Sequence, residues 1–132
     1  MYILRNILED DLIKIIHINE ASIPDVNTVS LDEFKWFLSK KTYFKCAEDE
    51  DRNICGFLLV LPPGLDYESL NYKWFSGRYS NFAYIDRIAI DESSKRKGIG
   101  SSLYTDLEST MKDKYDLIAC CLLYTSDAAD DL

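Results

Sequence analysis

The sequence predicts an α/β domain built on a mixed sheet, in which the last two strands are joined by a parallel crossover. Three observations support this fold class. The chain has 132 residues, which suffice for one core but not for two. Strand-like and helix-like segments follow each other in the order βααββ and then βαβ. Because the last helix lies between two strands, those strands are expected to be parallel neighbours.

The first half of the chain is predicted to begin with a strand and a helix. Residues 2–5 are strand-like, and Asn6 followed by Glu9 is typical of a helix cap, so we expect the first helix over about residues 6–21. The apolar residues of this segment form one broad face. His17 lies off that face, which favours an ordinary surface histidine over a ligand.

A second helix and a hairpin are predicted next. Ser30 and Glu33 form an S-x-x-E capping box, which predicts a helix that ends near residue 40. Residues 43–47 and 54–61 have the composition of two strands joined by a polar turn. The second of these strands is apolar almost throughout, so we expect it to be covered on both faces.

Residues 62–80 are predicted to form a long irregular loop that is rich in aromatic residues. It either contributes to a binding pocket or merely covers the sheet. A strand follows over residues 81–90, then a helix from about residue 98 to 114 and a last strand over 116–123. Strict alternation predicts two faces for the strand at 81–90, one with Phe82, Tyr84, Asp86, Ile88 and Ile90, the other with Ala83, Ile85, Arg87 and Ala89.

Composition excludes several classes of protein. The net charge of −8 argues against nucleic-acid binding, which needs a basic face. The longest apolar run, at residues 56–61, is far shorter than the roughly 18 residues of a membrane span, so no membrane partner is expected. The four cysteines show no CxxC spacing, and the chain has one histidine. We therefore expect no metal site and no disulfides, but reduced thiols in a cytoplasmic protein.

The segment with the clearest chemical signal follows the strand at 81–90. Lys95-Arg96-Lys97-Gly98-Ile99-Gly100 joins that strand to a helix. A helix N-terminus offers unpaired N–H groups, glycine lets the backbone approach a ligand closely, and basic side chains add charge. A pyrophosphate fits such a turn, although a solvated basic turn without a ligand is the alternative. Walker A is absent, and Leu103 occupies the third glycine position of the dinucleotide motif.

With its strand and helix, this segment resembles the acyl-CoA motif [QR]-x-x-G-x-[GA] of the GNAT acetyltransferase superfamily. Lys95 stands where the family usually has arginine or glutamine. Residues around Tyr67, Tyr72 and 84–88 further resemble a bacterial subgroup of predicted acetyltransferases. The resemblance implies acetyl-CoA as co-substrate, no metal, and direct acetyl transfer to a primary amine of a small molecule or protein. The implied acetyl-CoA-binding residues are Ile88, Ala89, Ile90, Lys95, Arg96, Lys97, Gly98, Ile99, Gly100 and Ser101.

The resemblance also suggests where an acceptor would react. Asp86 and Tyr84 would lie near the acetyl group and are the candidate catalytic residues, each able to take a proton directly or through water. Asp86 has an alternative role as a structural partner of Arg87. Tyr67, Tyr72 and Trp74 are the candidate acceptor-binding residues. Asp66 and Glu68 would suit a cationic amine.

The resemblance covers residues 1 to about 120, and we assign 1–120 to an N-acetyltransferase domain that is incomplete at its C-terminus. The family continues with a further helix and two strands. Residues 121–132 instead resemble the conceptual translation of a sequencing adapter, and we interpret them as a non-native tail. The activity of this copy is therefore in question. A non-catalytic acyl-CoA-binding or interaction module on the same fold is the alternative function, and homodimer formation is left open.

Overall fold

The five strands of the sheet lie side by side in the order in which they occur in the chain. They are β1 (Ile3–Asn6), β2 (Tyr43–Glu48), β3 (Ile54–Leu61), β4 (Ala83–Ile90) and β5 (Ile118–Cys120). Strands β1 to β4 pair antiparallel, and β4 and β5 pair parallel. This mixed sheet with a terminal crossover, in the computed structural model, confirms the predicted fold class.

The structure describes residues 1–120. Helices α1 (Leu12–Ala21), α2 (Leu31–Lys40) and α3 (Leu70–Ser76) cover one face of the sheet, and α4 (Ile99–Met111) covers the other. Every residue of β3 is buried between these layers, as its apolar sequence predicts. The predicted extension of the last strand to residue 123 and the proposed tail at 121–132 lie outside the described residues.

The start of α1 differs from the prediction. Asn6 belongs to β1, and a short 3-10 turn at Glu9–Asp11 precedes the helix. The Asp11 carboxylate accepts a hydrogen bond from the Leu8 N–H at 2.7 Å and ion-pairs with Arg5 at 2.8 Å. The chain therefore turns on Asp11 and not on Asn6. His17 is exposed on α1, as expected.

The capping box of α2 is confirmed in both of its hydrogen bonds. The Glu33 N–H donates to the Ser30 hydroxyl at 3.1 Å, and the Ser30 N–H donates to the Glu33 carboxylate at 3.1 Å. These contacts satisfy two N–H groups that a helix start leaves without partners. Phe34 and Phe37 are thereby fixed on the buried side of the helix.

The prediction that residues 62–80 form an irregular loop is wrong in part, because this segment contains α3. The Ser69 hydroxyl caps this helix by accepting from the Tyr72 N–H at 3.3 Å. Aromatic residues have low helix propensity, so a seven-residue helix rich in them gives little sequence signal. Packing of Tyr72 and Phe75 into the core stabilises the helix instead.

The predicted division of β4 into two faces is wrong because the strand contains a β-bulge. Leu59 pairs with Arg87 and Val60 pairs with Ile85, so Asp86 has no partner in β3. One extra residue reverses the alternation beyond it. Tyr84 and Ala89 thus belong to the core under α1 and α2, whereas Ile88 and Ile90 pack against the α4 side.

The packing of β3 against β4 leads to a stability prediction. A Cβ added at Gly56 would lie 2.8 Å from the Ile90 Cδ1 atom and 3.0 Å from the Ala89 carbonyl oxygen. We expect Gly56→Ala to lower the free energy of unfolding by about 1–3 kcal/mol, as overpacking does, measured by urea denaturation. Gly77→Ala is the control, because its nearest atom would lie at an ordinary 3.5 Å. Equal stability of the two variants would contradict the prediction.

Candidate functional site

A cleft of about 650 Å³ opens beside the bulge of β4, on the face of the sheet that carries α1, α2 and α3. One wall is the connection between α1 and α2, at residues 24–29. The opposite wall is the segment before α3, including Tyr67, Glu68 and Ser69. Residues 84–88 of β4 form the floor. The bulge therefore lies where both walls meet the sheet.

Asp86 is held from two sides within this floor. Its Oδ1 atom accepts a hydrogen bond from the Tyr67 hydroxyl at 2.5 Å, and its Oδ2 atom accepts one from Arg87 Nε at 2.7 Å. Only 3% of the Asp86 side chain is exposed. The residue as a whole is half-buried, so what Asp86 exposes at the bulge is mainly its backbone.

Arg87 is the buried cation of this site, with 5% of its side chain exposed. Besides Asp86, its guanidinium donates to Asn19 Oδ1 at 3.1 Å, to the Asn27 carbonyl at 3.1 Å and to Asn27 Oδ1 at 2.7 Å. Asn19 in turn donates to the Asn27 carbonyl at 2.9 Å. A buried charge needs such partners, and here they come from α1, the α1–α2 connection and β4.

Tyr67 presents its hydroxyl to Asp86 because aromatic neighbours fix its ring. It packs against Trp36 and Phe37 of α2 and against Tyr72 of α3, with centroid distances of 5.4–6.0 Å. Burial, and then the charge of Asp86, raise the pKa of Tyr67 above the ordinary range. Tyr67 is thus a neutral hydrogen-bond donor at physiological pH.

Of the other predicted residues, Tyr84 lines the cleft, whereas Tyr72 and Trp74 do not. The Tyr84 ring is 2% exposed and packs edge-on against Tyr72 at 5.3 Å. The Tyr72 hydroxyl donates to the Pro62 carbonyl at 2.6 Å and accepts from the Leu65 N–H at 3.0 Å. Trp74 lies on the outer surface of α3, stacked against Arg78.

The basic turn after β4 has the local geometry of an anion site. Arg96 and Gly98 both adopt positive φ, at 64° and 81°, and α4 begins at the next residue. Gly98 has open space where a Cβ would be. Such left-handed positions turn successive N–H groups toward one side, next to the unpaired amides of the first helical turn.

The basic side chains of this turn differ in exposure. Arg96 and Lys97 are exposed, whereas Lys95 is mostly buried and pairs with Glu92 at 2.9 Å. A cavity of about 270 Å³ adjoins Lys97, Gly98 and Ser102 on the side of β1 and β2.

The backbone of β4 between the bulge and this turn is paired on one side. Residues 88–90 pair with residues 56–58 of β3. On the other side, β5 pairs with residues 83–85, and no residue of the described range 1–120 pairs there with 88–90. This stretch leads from the bulge directly to the basic turn.

Sequence reasoning missed Asn19, Asn27 and the wall at residues 24–29, whereas it did single out Tyr67 and Glu68 of the opposite wall. Asn27 is about 60 positions from Arg87, and no local pattern joins such residues. Asn19 gave the one available signal, because it is a polar residue near the buried face of a predicted helix. It is fully buried in the structure.

No helix within residues 1–120 is long and apolar enough to cross a membrane. The same range holds no group of three or more histidine, cysteine, aspartate or glutamate residues that could bind a metal ion.

Comparison with known proteins identifies the family. The model of the acetyltransferase (GNAT) family matches residues 4–131, so the chain belongs to this family and is an acyltransferase of the N-acetyltransferase class. No curated protein sequence matches the chain.

Solved structures with the same fold are distant in sequence. The aminoglycoside antibiotic 6'-N-acetyltransferase of Acinetobacter baumannii is 15% identical with a TM-score of 0.69, over 98% of this chain and 85% of that one. The ribosomal-protein-S18-alanine N-acetyltransferase of Escherichia coli is 16% identical with a TM-score of 0.63, over 86% and 61%. A Mycobacterium tuberculosis protein in complex with CoA and NLQ is 17% identical with a TM-score of 0.63, over 84% and 58%. At these identities the likeness shows the fold alone.

The contact between Tyr67 and Asp86 predicts an unusual titration. The ionisation of Tyr67 is the absorbance change that is lost in Tyr67→Phe. Its midpoint should lie above the ordinary phenol pKa of about 10, because burial and Asp86 favour the neutral phenol. Asp86→Asn removes the charge and leaves the burial, so it should move this midpoint to lower pH without restoring the ordinary value. Spectrophotometric titration with and without Tyr67 measures both. A midpoint at the ordinary pKa in the wild type would refute the assignment.

Proposed function

We propose that this chain is an acetyl-CoA-dependent N-acetyltransferase that transfers the acetyl group directly to a primary amine of a small molecule or protein. The observation that carries this proposal is the course of β4. This strand begins at the cleft beside its bulge and ends at the basic turn and the N-terminus of α4. Between them, among the described residues, its backbone is paired only on the side of β3. Donor and acceptor would therefore meet at one strand.

The donor half of the proposed site consists of residues 88–90 and 95–101. Backbone groups of Ile88, Ala89 and Ile90 would pair with the acetyl and pantetheine part of acetyl-CoA. The amides of Arg96 through Ser101 would bind the pyrophosphate, and Arg96 and Lys97 would add charge. The positive φ of Gly98 supports this assignment because it shapes the turn around the anion.

The acceptor half is the cleft beside Asp86. The amine nitrogen attacks the thioester carbonyl carbon, so a C–N bond forms and the C–S bond breaks. An ammonium acceptor loses one proton before the attack, and a second proton leaves the nitrogen as the amide forms, which balances the proton needed by the CoA thiolate. The protein must therefore orient the amine and accept a proton.

Tyr84 and Asp86 are the candidates for that proton transfer, directly or through water. Both line the cleft. Tyr67 contributes to the acceptor side through its contact with Asp86. Tyr72 and Trp74 do not line the cleft, so their proposed role in acceptor binding is indirect. They belong to the helix that follows Tyr67, and Tyr72 packs against the Tyr67 ring.

The net charge of −8 supports an acceptor that is not a nucleic acid. Buried free thiols at Cys46 and Cys55 support a cytoplasmic location, and burial raises the pKa of the Cys46 thiol to about 11.

Binding of the donor tests the basic turn. Gly98→Ala should weaken CoA binding about tenfold in isothermal titration calorimetry, because an L residue at positive φ is strained by about 1–2 kcal/mol. Gly77→Ala, at a glycine with negative φ, is the matched control. Unchanged affinity for CoA in Gly98→Ala would argue against the donor assignment.

Acetyl transfer is tested by mixing the protein with acetyl-CoA and each amine of a panel of primary amines. The release of free CoA measures the reaction. Whichever of Tyr84 and Asp86 accepts the proton, its replacement in Tyr84→Phe or Asp86→Asn should lower kcat by about 10²-fold or more. CoA binding without acetylation of any amine would favour the non-catalytic module, and absence of CoA binding would refute both functions.

A further inference from the structure

We propose that Arg87 is a positioning residue that braces the two walls of the acceptor cleft, so that the amine-binding site exists before the substrate arrives. This inference rests on the proposed function and adds to it a residue that determines acceptor binding. It starts from the β-bulge, which turns the side chains of Asp86 and Arg87 to the same face of the sheet. In a regular strand these neighbours would point to opposite faces.

One arm of the brace reaches the α1–α2 connection. The Arg87 guanidinium donates to both the backbone carbonyl and the side-chain oxygen of Asn27. Asn19 in α1 accepts from the same guanidinium and donates to the same Asn27 carbonyl. Residues 24–29 form one wall of the cleft, so these hydrogen bonds set its distance from the floor.

The other arm runs through Asp86 to the opposite wall. Arg87 Nε holds Asp86 Oδ2 at 2.7 Å, and Asp86 Oδ1 receives the Tyr67 hydroxyl at 2.5 Å. Tyr67 belongs to the segment before α3 that forms the second wall. A single buried ion pair thus connects segments that begin about 40 residues apart in the chain.

Arginine is required at this position because of the shape of its guanidinium. Its fork donates at once to a carboxylate on one side and to two amide oxygens and a carbonyl on the other. A lysine would keep the charge, but its single ammonium nitrogen cannot bind Asp86 on one side and Asn19 and Asn27 on the other. The Phe37 ring, 5.8 Å from Arg87 Cζ, covers the guanidinium from the α2 side.

The brace acts on the acceptor half of the site and not on the donor half. Its hydrogen bonds involve residues 19, 27, 67 and 86, whereas the basic turn begins eight residues after Arg87. Loosening the brace should therefore change acceptor binding while donor binding stays intact.

The test uses two variants of the full chain and an amine that the wild type acetylates. Asn27→Ala removes one hydrogen bond from an exposed residue and leaves the Asp86–Arg87 pair in place. Arg87→Lys keeps the charge and loses the fork. Both should raise the acceptor KM about tenfold, the loss expected for a charged hydrogen bond, and leave the Kd for CoA unchanged. In Asn27→Ala, which keeps the Asp86–Arg87 pair, kcat should change less than twofold, whereas Arg87→Lys also loosens Asp86 and should lower kcat.

Arg5→Lys is the matched control. Arg5 also forks between two acceptors, the carboxylates of Glu48 and Asp11, but it lies on β1 at the edge of the sheet and does not line the cleft. Arg5→Lys should lower Tm without changing the acceptor KM. A merely structural role of Arg87 predicts the same for Arg87→Lys.

Hydrogen exchange gives a readout that does not depend on activity. Amides of residues 25 and 26, which donate to the Ser22 carbonyl, should exchange faster in Asn27→Ala and Arg87→Lys but not in Arg5→Lys. Wild-type acetylation with an unchanged acceptor KM in both cleft variants would overturn the brace and leave the proposed function standing. An equal KM increase in Arg5→Lys would also overturn it. A wild type that acetylates no amine would overturn the proposed function and the inference together.

Discussion

The need to satisfy one buried guanidinium organises the functional half of this protein. Only 5% of the Arg87 side chain is exposed. Burying such a cation lowers the stability of the fold unless its donor groups all find hydrogen-bond partners. Arg87 meets this condition only because the bulge places Asp86 on its own side of the sheet and because α1 places Asn19 against it. The cleft lies above this pair. Of the residues that solvate the charge in place of water, Asp86 and Asn27 also line the cleft.

The two halves of the proposed site are built on different principles. The donor half is one continuous piece of chain, in which the end of β4, the left-handed turn and the start of α4 follow without interruption. The acceptor half is assembled from segments that meet only in the folded state. A ligand with a fixed chemical structure suits the first arrangement. The second allows the acceptor surface to vary while the strand and turn stay the same.

This difference explains what could be predicted from the sequence. The strands, the capping box of α2 and the turn at residues 95–100 depend on local patterns, so the fold class and the family motif could be recognised. The bulge at Asp86 leaves no local mark, and one extra residue made the predicted faces of β4 wrong. Asn27 reaches the site through a distant contact, as does Tyr67, which was an acceptor-site candidate but whose contact with Asp86 no local pattern shows. Helix α3 is a short aromatic helix held by packing and not by propensity.

The arrangement of strands in chain order also has a consequence for how the protein folds. The β2–β3 hairpin closes over five residues, whereas β1 reaches β2 across two helices and β5 reaches β4 across α4. Loop-closure entropy is therefore smallest for the hairpin, and each later strand adds to an edge that already exists. Assembly is expected to spread outward from β3, the strand buried on both faces. Strand β4 would then dock with its bulge in register before the walls of the cleft can close over it.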